Sequence, residues 1–156
     1  MQIRRFVPSD AEAVAGLIAV TMRTTNLGDY TAEELEALID HMTAQEMIDR
    51  ASWMHFYVVV EDGELIGCGA IGPFWGREDE SSLFTIFVRP DRQGQGVGRR
   101  IIETLENDEF ALRARRIEIP ASITGLPFYR KLGYDFKDGK DTVDEEHLYR
   151  LEKFRG

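Results

Sequence analysis

The chain has 156 residues, 43% apolar and 10% aromatic, enough to bury a core of ordinary domain size without disulfides or metals. Its 28 acidic against 19 basic residues leave a net charge of -9, which argues against a nucleic-acid binder and disfavours an anionic membrane surface. One cysteine, Cys68, rules out an internal disulfide, and His41, His55 and His147 stand too far apart for metal-ligand spacing.

The elements alternate along the chain. Gln2 to Val7 reads as a strand stopped by Pro8, too short and too soon broken for a signal peptide; no stretch reaches the apolar length of a membrane span, so a reducing, cytoplasmic setting is expected. Ser9 or Asp10 caps a helix with the stripe Val14, Leu17, Ile18 and Met22, which Asn26, Gly28 and Asp29 break. Thr31–Glu34 and Thr43–Glu46 are capping boxes, the first opening a helix through Met42 and the second a short helix with Met47 and Ile48 on one side. Phe56 to Val60 and Leu65 to Phe74 are β-rich runs joined by a turn centred on Asp62-Gly63. Gly67, Gly69 and Gly72 make the second run thin. Arg77 to Glu80 reads as a polar turn, and Ser82 to Val88 as a strand stopped by Pro90.

A glycine-rich loop follows, Gly94, Gly96 and Gly98, and leads into a helix with Val97, Ile101, Ile102 and Leu105. Arg116 to Ile119 is a buried-strand run, Ser122 to Leu132 a short helix closed by Gly133. Tyr134 to Phe136 and His147 to Phe154 are closing strands around a polar loop. No linker, repeat or low-complexity tract interrupts the chain, so the pattern predicts one α/β domain over 1–156 with a mixed sheet.

The loop carries the chemistry. Glycine allows positive φ and close backbone approach, so consecutive N–H groups can converge on an anion at a helix N-terminus. Arg89 to Arg100 holds four arginines and one aspartate, locally +3 in an acidic chain. A phosphate-bearing ligand is the natural guest. A P-loop is excluded, because no Gly-Lys followed by Ser or Thr is present. A dinucleotide fingerprint fits poorly, with Arg99 where its third glycine belongs, although Glu118 lies about twenty residues on as that fingerprint requires. A plain tight turn is the structural alternative.

Gln93-x-x-Gly96-x-Gly98, directly after Ile86-Phe-Val-Arg-Pro90, resembles the acetyl-CoA pyrophosphate loop of the GNAT superfamily of N-acetyltransferases. About thirty residues on, Phe128-Tyr129-Arg-Lys-Leu-Gly133-Tyr134 resembles that family's short Phe-Tyr helix. The resemblance implies an α/β GNAT fold, a mostly antiparallel central sheet with helices on both faces, and acetyl transfer from acetyl-CoA to a primary amine by direct attack. It implies that the strand Ile86, Phe87 and Val88 offers backbone groups to the pantetheine arm. Gln93, Gly94, Gln95, Gly96, Val97 and Gly98, with Arg99, would cradle the phosphates. Tyr129 would protonate the departing thiolate.

The chain departs from the family at the general base. The two substrate-facing positions where members carry glutamate or histidine are Ser82 and Phe84 here. Asp79, Glu80 and Glu118 are the nearest carboxylates, with ordered water as the remaining route. Ser122 stands where many members have an asparagine touching the cofactor, and a helix cap is its plain alternative. Cys68 reads as a buried inert thiol, Trp53 and Trp75 as packing residues with Trp75 also a candidate pocket rim, and Asp141 to Glu146 as a solvated loop. Tyr30 and His41 lie on the helix pair that lines the acceptor side in the family.

Two rival functions remain open. One is a GNAT fold that binds CoA without turnover, as a sensor or interaction partner. The other is a nucleotide-dependent enzyme using the loop differently. The acceptor is a small-molecule or peptide amine, with the acidic composition favouring a cationic one; a homodimer is the family-level expectation for oligomeric state.

Overall fold

The computed structural model describes residues 1–74 and 77–155; Trp75 lies outside the described residues. The first strand, β1 (Gln2–Arg5), is shorter than its sequence pattern, because Val7 already caps a 3-10 turn at Pro8–Asp10. Asp10 ends that turn nearly buried, held by Arg4 at 2.8 Å and by the Val7 N–H at 2.8 Å. Helix α1 (Ala11–Thr25) runs on from it, and α2 (Ala32–His41) and α3 (Ala44–Ala51) start where the boxes predict. Thr31 accepts from the Glu34 N–H and Thr43 from the Glu46 N–H, each at 3.1 Å.

Strands β2 (His55–Glu61) and β3 (Glu64–Phe74) form the expected hairpin. Asp62 at φ 52° and Gly63 at φ 78° are both left-handed, as a two-residue turn matched to strand twist requires. Strand β4 (Arg77–Val88) is longer than expected: the predicted polar turn Arg77 to Glu80 is strand, with Arg77 paired to Phe74 and Glu80 to Arg116. Consecutive charged residues can pair across strands at the end of a sheet that leaves them partly exposed, which composition alone conceals.

After β4 come α4 (Val97–Glu106), a short α5 (Glu109–Leu112), β5 (Arg116–Ala121), α6 (Leu126–Lys131), β6 (Asp135–Phe136) and β7 (Tyr149–Phe154). The sequence pattern predicts no helix at α5. Its signal was Asp108, which caps the Phe110 N–H at 2.9 Å and also takes the Tyr57 hydroxyl at 2.6 Å and His55 Nδ1 at 2.8 Å. Helix α6 starts four residues later than expected. Pro127 has no N–H to donate and its ring would crowd the Ile123 carbonyl of a helix begun upstream, so it stands in the first turn and Ser122 to Gly125 forms a turn closed by the Gly125 N–H on Ser122 Oγ at 3.0 Å. Strand β7 starts later too, after His147 at φ 62°.

Among the described residues the sheet has seven strands in the order β1-β2-β3-β4-β5-β7-β6. Every neighbouring pair is antiparallel except β4 with β5. One face packs Ile66, Leu83, Ile117, Ile119 and Leu151 against Ile101, Ile102 and Leu105 of α4 and against Tyr129 of α6. The other packs Phe56, Val58, Cys68 and Ala70 against Val14, Ile18, Leu35 and Met47 of α1 to α3. Helices thus cover both faces of a mostly antiparallel sheet. The thin strand has its reason here: a Cβ on Gly69 would lie 2.5 Å from Ile101 Cγ2.

Candidate active site

The parallel pair β4–β5 is joined only at Glu80–Arg116, Ser81–Ile117 and Ser82–Glu118. Beyond Ser82 the two strands part, and a wedge opens between Leu83–Val88 of β4 and Ile119–Ala121 of β5. Backbone groups along an opened edge are left for a guest. The β3–β4 ladder shows what turns β4 aside. Cys68 pairs with Phe87, but Ala70 pairs with Phe84, so β4 carries one extra residue opposite Gly69. That bulge contains Thr85 at φ 56°, a left-handed conformation that costs a β-branched residue about 1–3 kcal/mol and persists only where the surroundings hold it.

The bulge also resets which side chains face which layer. Phe84 and Phe87, three apart, both join the α1–α3 side, whereas Ile86 and Val88 join the α4 side. The Arg89 N–H is taken by the Ile66 carbonyl of β3 at 2.8 Å, so by strand alternation the Val88 backbone turns towards the wedge. Its carbonyl is reached there by the Gln93 side chain at 3.1 Å.

The glycine loop closes the end of the wedge. Gly94 at φ 75° and Gly96 at φ 85° are left-handed, and a Cβ at either would meet open space, so conformation and not crowding demands glycine there. Gly96 is the N-cap of α4 and supplies no side-chain cap. The first helical bond runs from the Arg100 N–H to the Gly96 carbonyl, which leaves the Val97, Gly98 and Arg99 N–H without intrahelical acceptors. Those amides carry the positive end of the helix dipole. The loop from Gln93 to Gly96 is exposed and Val97 buried.

Gly98 has a different reason. Its missing Cβ makes room for Phe128, whose Cζ would lie 3.0 Å from it. The glycine loop and the Phe-Tyr helix are therefore one packed unit. Next to Phe128, Tyr129 is buried, 8% exposed, and its hydroxyl makes no hydrogen bond to protein among the described residues. Burial, reinforced by the Cys68 thiol, holds its proton far above the usual tyrosine range.

Other expected roles change on inspection. The side chain of Gln93 ties the loop to Thr25 of α1 at 3.0 Å as well as to Val88, and that of Gln95 bonds the Asp91 carbonyl at 3.3 Å; only their backbones are free to face an anion. The positive charge of the loop is also less than +3. Arg89 pairs with Glu64 and Asp91, and Arg92 pairs with Glu61. Among the described residues Arg99 and Arg100 form no salt bridge, so the uncompensated charge sits on the first turn of α4. Ser82 is buried with its hydroxyl on the Glu118 carbonyl at 3.2 Å, and Phe84 packs edge-on to Trp53 at 5.8 Å. Glu80 and Glu118 are each 3.0 Å from Arg116, and Glu118 is 2.9 Å from Lys137. Asp79 pairs with Arg115 at 3.1 Å. Each carboxylate near the wedge is thus held by a cation.

Comparison with known proteins decides the family. The profile of the Acetyltransferase (GNAT) family matches residues 19–134. The chain belongs to the GNAT acetyltransferases. This GNAT chain is 30% identical over 117 residues to the uncharacterized N-acetyltransferase YjcF of Bacillus subtilis, covering 74% of the chain and 81% of the relative. It is 28% identical over 111 residues to the IAA acetyltransferase of Azospirillum brasilense, with 69% of each covered. Its fold matches the PaiA N-acetyltransferase of Thermoplasma acidophilum, solved in complex with coenzyme A, at a TM-score of 0.84 and 18% identity over 99% of the chain and 98% of that structure. Acetyl-CoA is the co-substrate of the GNAT family, and the wedge, the free amides of α4 and the unpaired Arg99 fit an elongated thioester ending in phosphates.

No helix among the described residues is long and apolar enough to cross a membrane.

Proposed function

We propose that this GNAT protein transfers acetyl from acetyl-CoA to a primary amine by direct attack, with Tyr129 as the proton donor to the thiolate. The observation that supports the reading is the packing of Phe128 on Gly98, which sets the glycine turn against the helix that bears Tyr129. When bound, acetyl-CoA supplies an acetyl group activated as a thioester. The backbone of Ile86 to Val88 would hold its pantetheine arm, and the Gly94 to Gly98 amides with Arg99 its phosphates. Backbone N–H groups on β4 would stabilise charge on the thioester oxygen.

The new N–C bond forms as the C–S bond breaks. The attacking nitrogen sheds one proton to water to become neutral, loses a second as the N–C bond forms, and the thiolate takes one from Tyr129, which water restores. A phenol held protonated well above neutrality is an available acid at any physiological pH. With Glu80 and Glu118 tied to Arg116, ordered water is the base in this reading. The same tied carboxylates favour the second reading, a CoA-binding module without turnover.

For the acceptor we propose a cationic amine, approaching from the α1–α3 side of the wedge. Burial and then Asp29, Asp144, Glu146 and Glu34 all hold the Tyr30 hydroxyl proton above the usual range; Arg150 pairs with Asp144 at 2.7 Å and with Glu146 at 3.6 Å, so the negative charge in excess there is that of Asp29 and Glu34. Tyr30 stacks edge-on to His147 at 5.5 Å, and His147 lies 3.0 Å from Glu34, whereas His41 is exposed. A cytoplasmic homodimer completes the proposal, testable by light scattering. Calorimetric titration with acetyl-CoA, NAD and ATP, followed by turnover over an amine panel, tests the whole. Binding of NAD or ATP in place of acetyl-CoA rejects the cofactor; acetyl-CoA binding without turnover on any amine selects the binding module.

A further inference from the structure

The left-handed Thr85 is held from two sides, and one of them belongs to a different layer of the molecule. Arg50 of α3 donates from Nη1 to Thr85 Oγ1 at 2.8 Å, across 35 positions of sequence. Its own Nε is fixed on Glu46 at 2.9 Å, one helical turn back. From below, Cys68 Sγ donates to the Thr85 carbonyl at 3.2 Å. The side chain of Thr85 and its carbonyl are therefore both anchored, which restrains the peptide that follows. In a planar trans peptide the N–H points opposite to the carbonyl, so fixing the Thr85 carbonyl on Cys68 aims the Ile86 N–H away from β3's thiol. Gly69, opposite the bulge, leaves the space into which Ile101 packs, and Ile86 packs on that same α4 side.

The geometry points to Arg50 as a positioning residue for acetyl transfer: by clamping Thr85 in its left-handed conformation it aligns the β4 amides that meet the thioester carbonyl. This rests on the proposed acetyl-CoA site. Arg50 reaches the reaction only through Thr85, and its guanidinium acts on backbone direction. The arrangement explains why an energetically disfavoured threonine can stand here: glycine would adopt this φ freely, but it would also leave the amides free to move, whereas a clamped threonine cannot.

The test reads the thioester itself and needs no acceptor. Acetyl-CoA labelled with carbon-13 at its carbonyl is bound to the full chain, and its carbonyl stretch is recorded by isotope-edited infrared difference spectroscopy. Affinity for unacetylated CoA and melting temperature are measured on the same samples. Arg50→Ala should move the bound carbonyl band to higher frequency, as a hydrogen bond to it weakens, while CoA affinity stays within about twofold. Transfer to the best amine of the panel should fall at least about tenfold in kcat, short of the 10²–10³ lost when an oxyanion donor is removed outright. Thr85→Val, which keeps the shape and deletes the acceptor oxygen, should move the band in the same direction, and stands in if Arg50→Ala does not fold. In a Thr85→Gly background Arg50→Ala should shift the band less, since glycine does not need the clamp. An unchanged band in both single variants overturns the assignment, as does an equal shift in the threonine and glycine backgrounds. Failure of the unaltered protein to bind acetyl-CoA would instead remove the proposed function on which the clamp depends.

Discussion

Replacing Tyr129 by phenylalanine keeps the ring that packs beside Phe128 and deletes only a hydroxyl that has no protein partner among the described residues. Folding should be nearly unaffected, because no donor or acceptor is orphaned. Turnover should fall by about 10²–10⁴-fold, near the lower end if water substitutes, with acetyl-CoA affinity retained. Melting temperature, calorimetry and kcat on the one variant check this; full turnover would remove Tyr129 from the chemistry. Cys68 gives a second residue-level expectation. Burial pushes its thiol up to about 12, so the folded state keeps a proton that the unfolded chain releases near pH 8.5. Unfolded protein then binds fewer protons, and stability contributed by this group is intact below about pH 8.5 and declines progressively as pH rises towards 12. Denaturant melts between pH 7 and 10 should show falling stability, reduced in slope in Cys68→Ala, and a thiol reagent at pH 8 should label only unfolded chains.

At the scale of elements, the N-terminus of α4 is where sequence and structure agree most closely. The left-handed Gly94 and Gly96 were legible, because three alternate glycines before an amphipathic helix have few other uses. Gly96→Asp should abolish acetyl-CoA binding by calorimetry, since it strains a φ of 85° and sets a carboxylate where phosphates would lie. Arg99→Ala should raise the KM for acetyl-CoA several-fold at low salt, an effect that shrinks as ionic strength screens an exposed charge. An unchanged KM would assign Arg99 to the surface. Gly98 was legible as a motif but not in its reason, because its partner Phe128 lies thirty residues on and no spacing rule predicts which ring fills a missing Cβ. The strand at Arg77 to Glu80 was hidden for a related cause: its charges pair across strands, with Arg116 and with one another, and a polar run reads as a turn until its neighbours are known.

Across the whole molecule, Arg116 ties the closed end of the wedge, meeting Glu80 of β4, Glu118 of its own strand and Glu152 of β7, each at 3.0 Å. Glu118 is 3% exposed, so Arg116→Met would leave a buried carboxylate with Lys137 alone and should cost about 3–5 kcal/mol, read as a large drop in denaturation midpoint. Glu118→Gln in the same background should recover part of it. From its sequence alone this chain declares the alternation of helices and strands, the capping boxes, the Asp62-Gly63 hairpin, the glycine turn before α4 and the short helix that Gly133 closes. All are set by local backbone preference or by periodicity within one element. Only the tertiary structure decides that β4 leaves β5 after Ser82, that Thr85 is forced left-handed beneath Arg50, that two of the four loop arginines are neutralised, and that the carboxylates near the wedge are held by cations. Each of these depends on partners brought together from distant positions. The energy of a cross-layer contact is not written in the residues on either side of it.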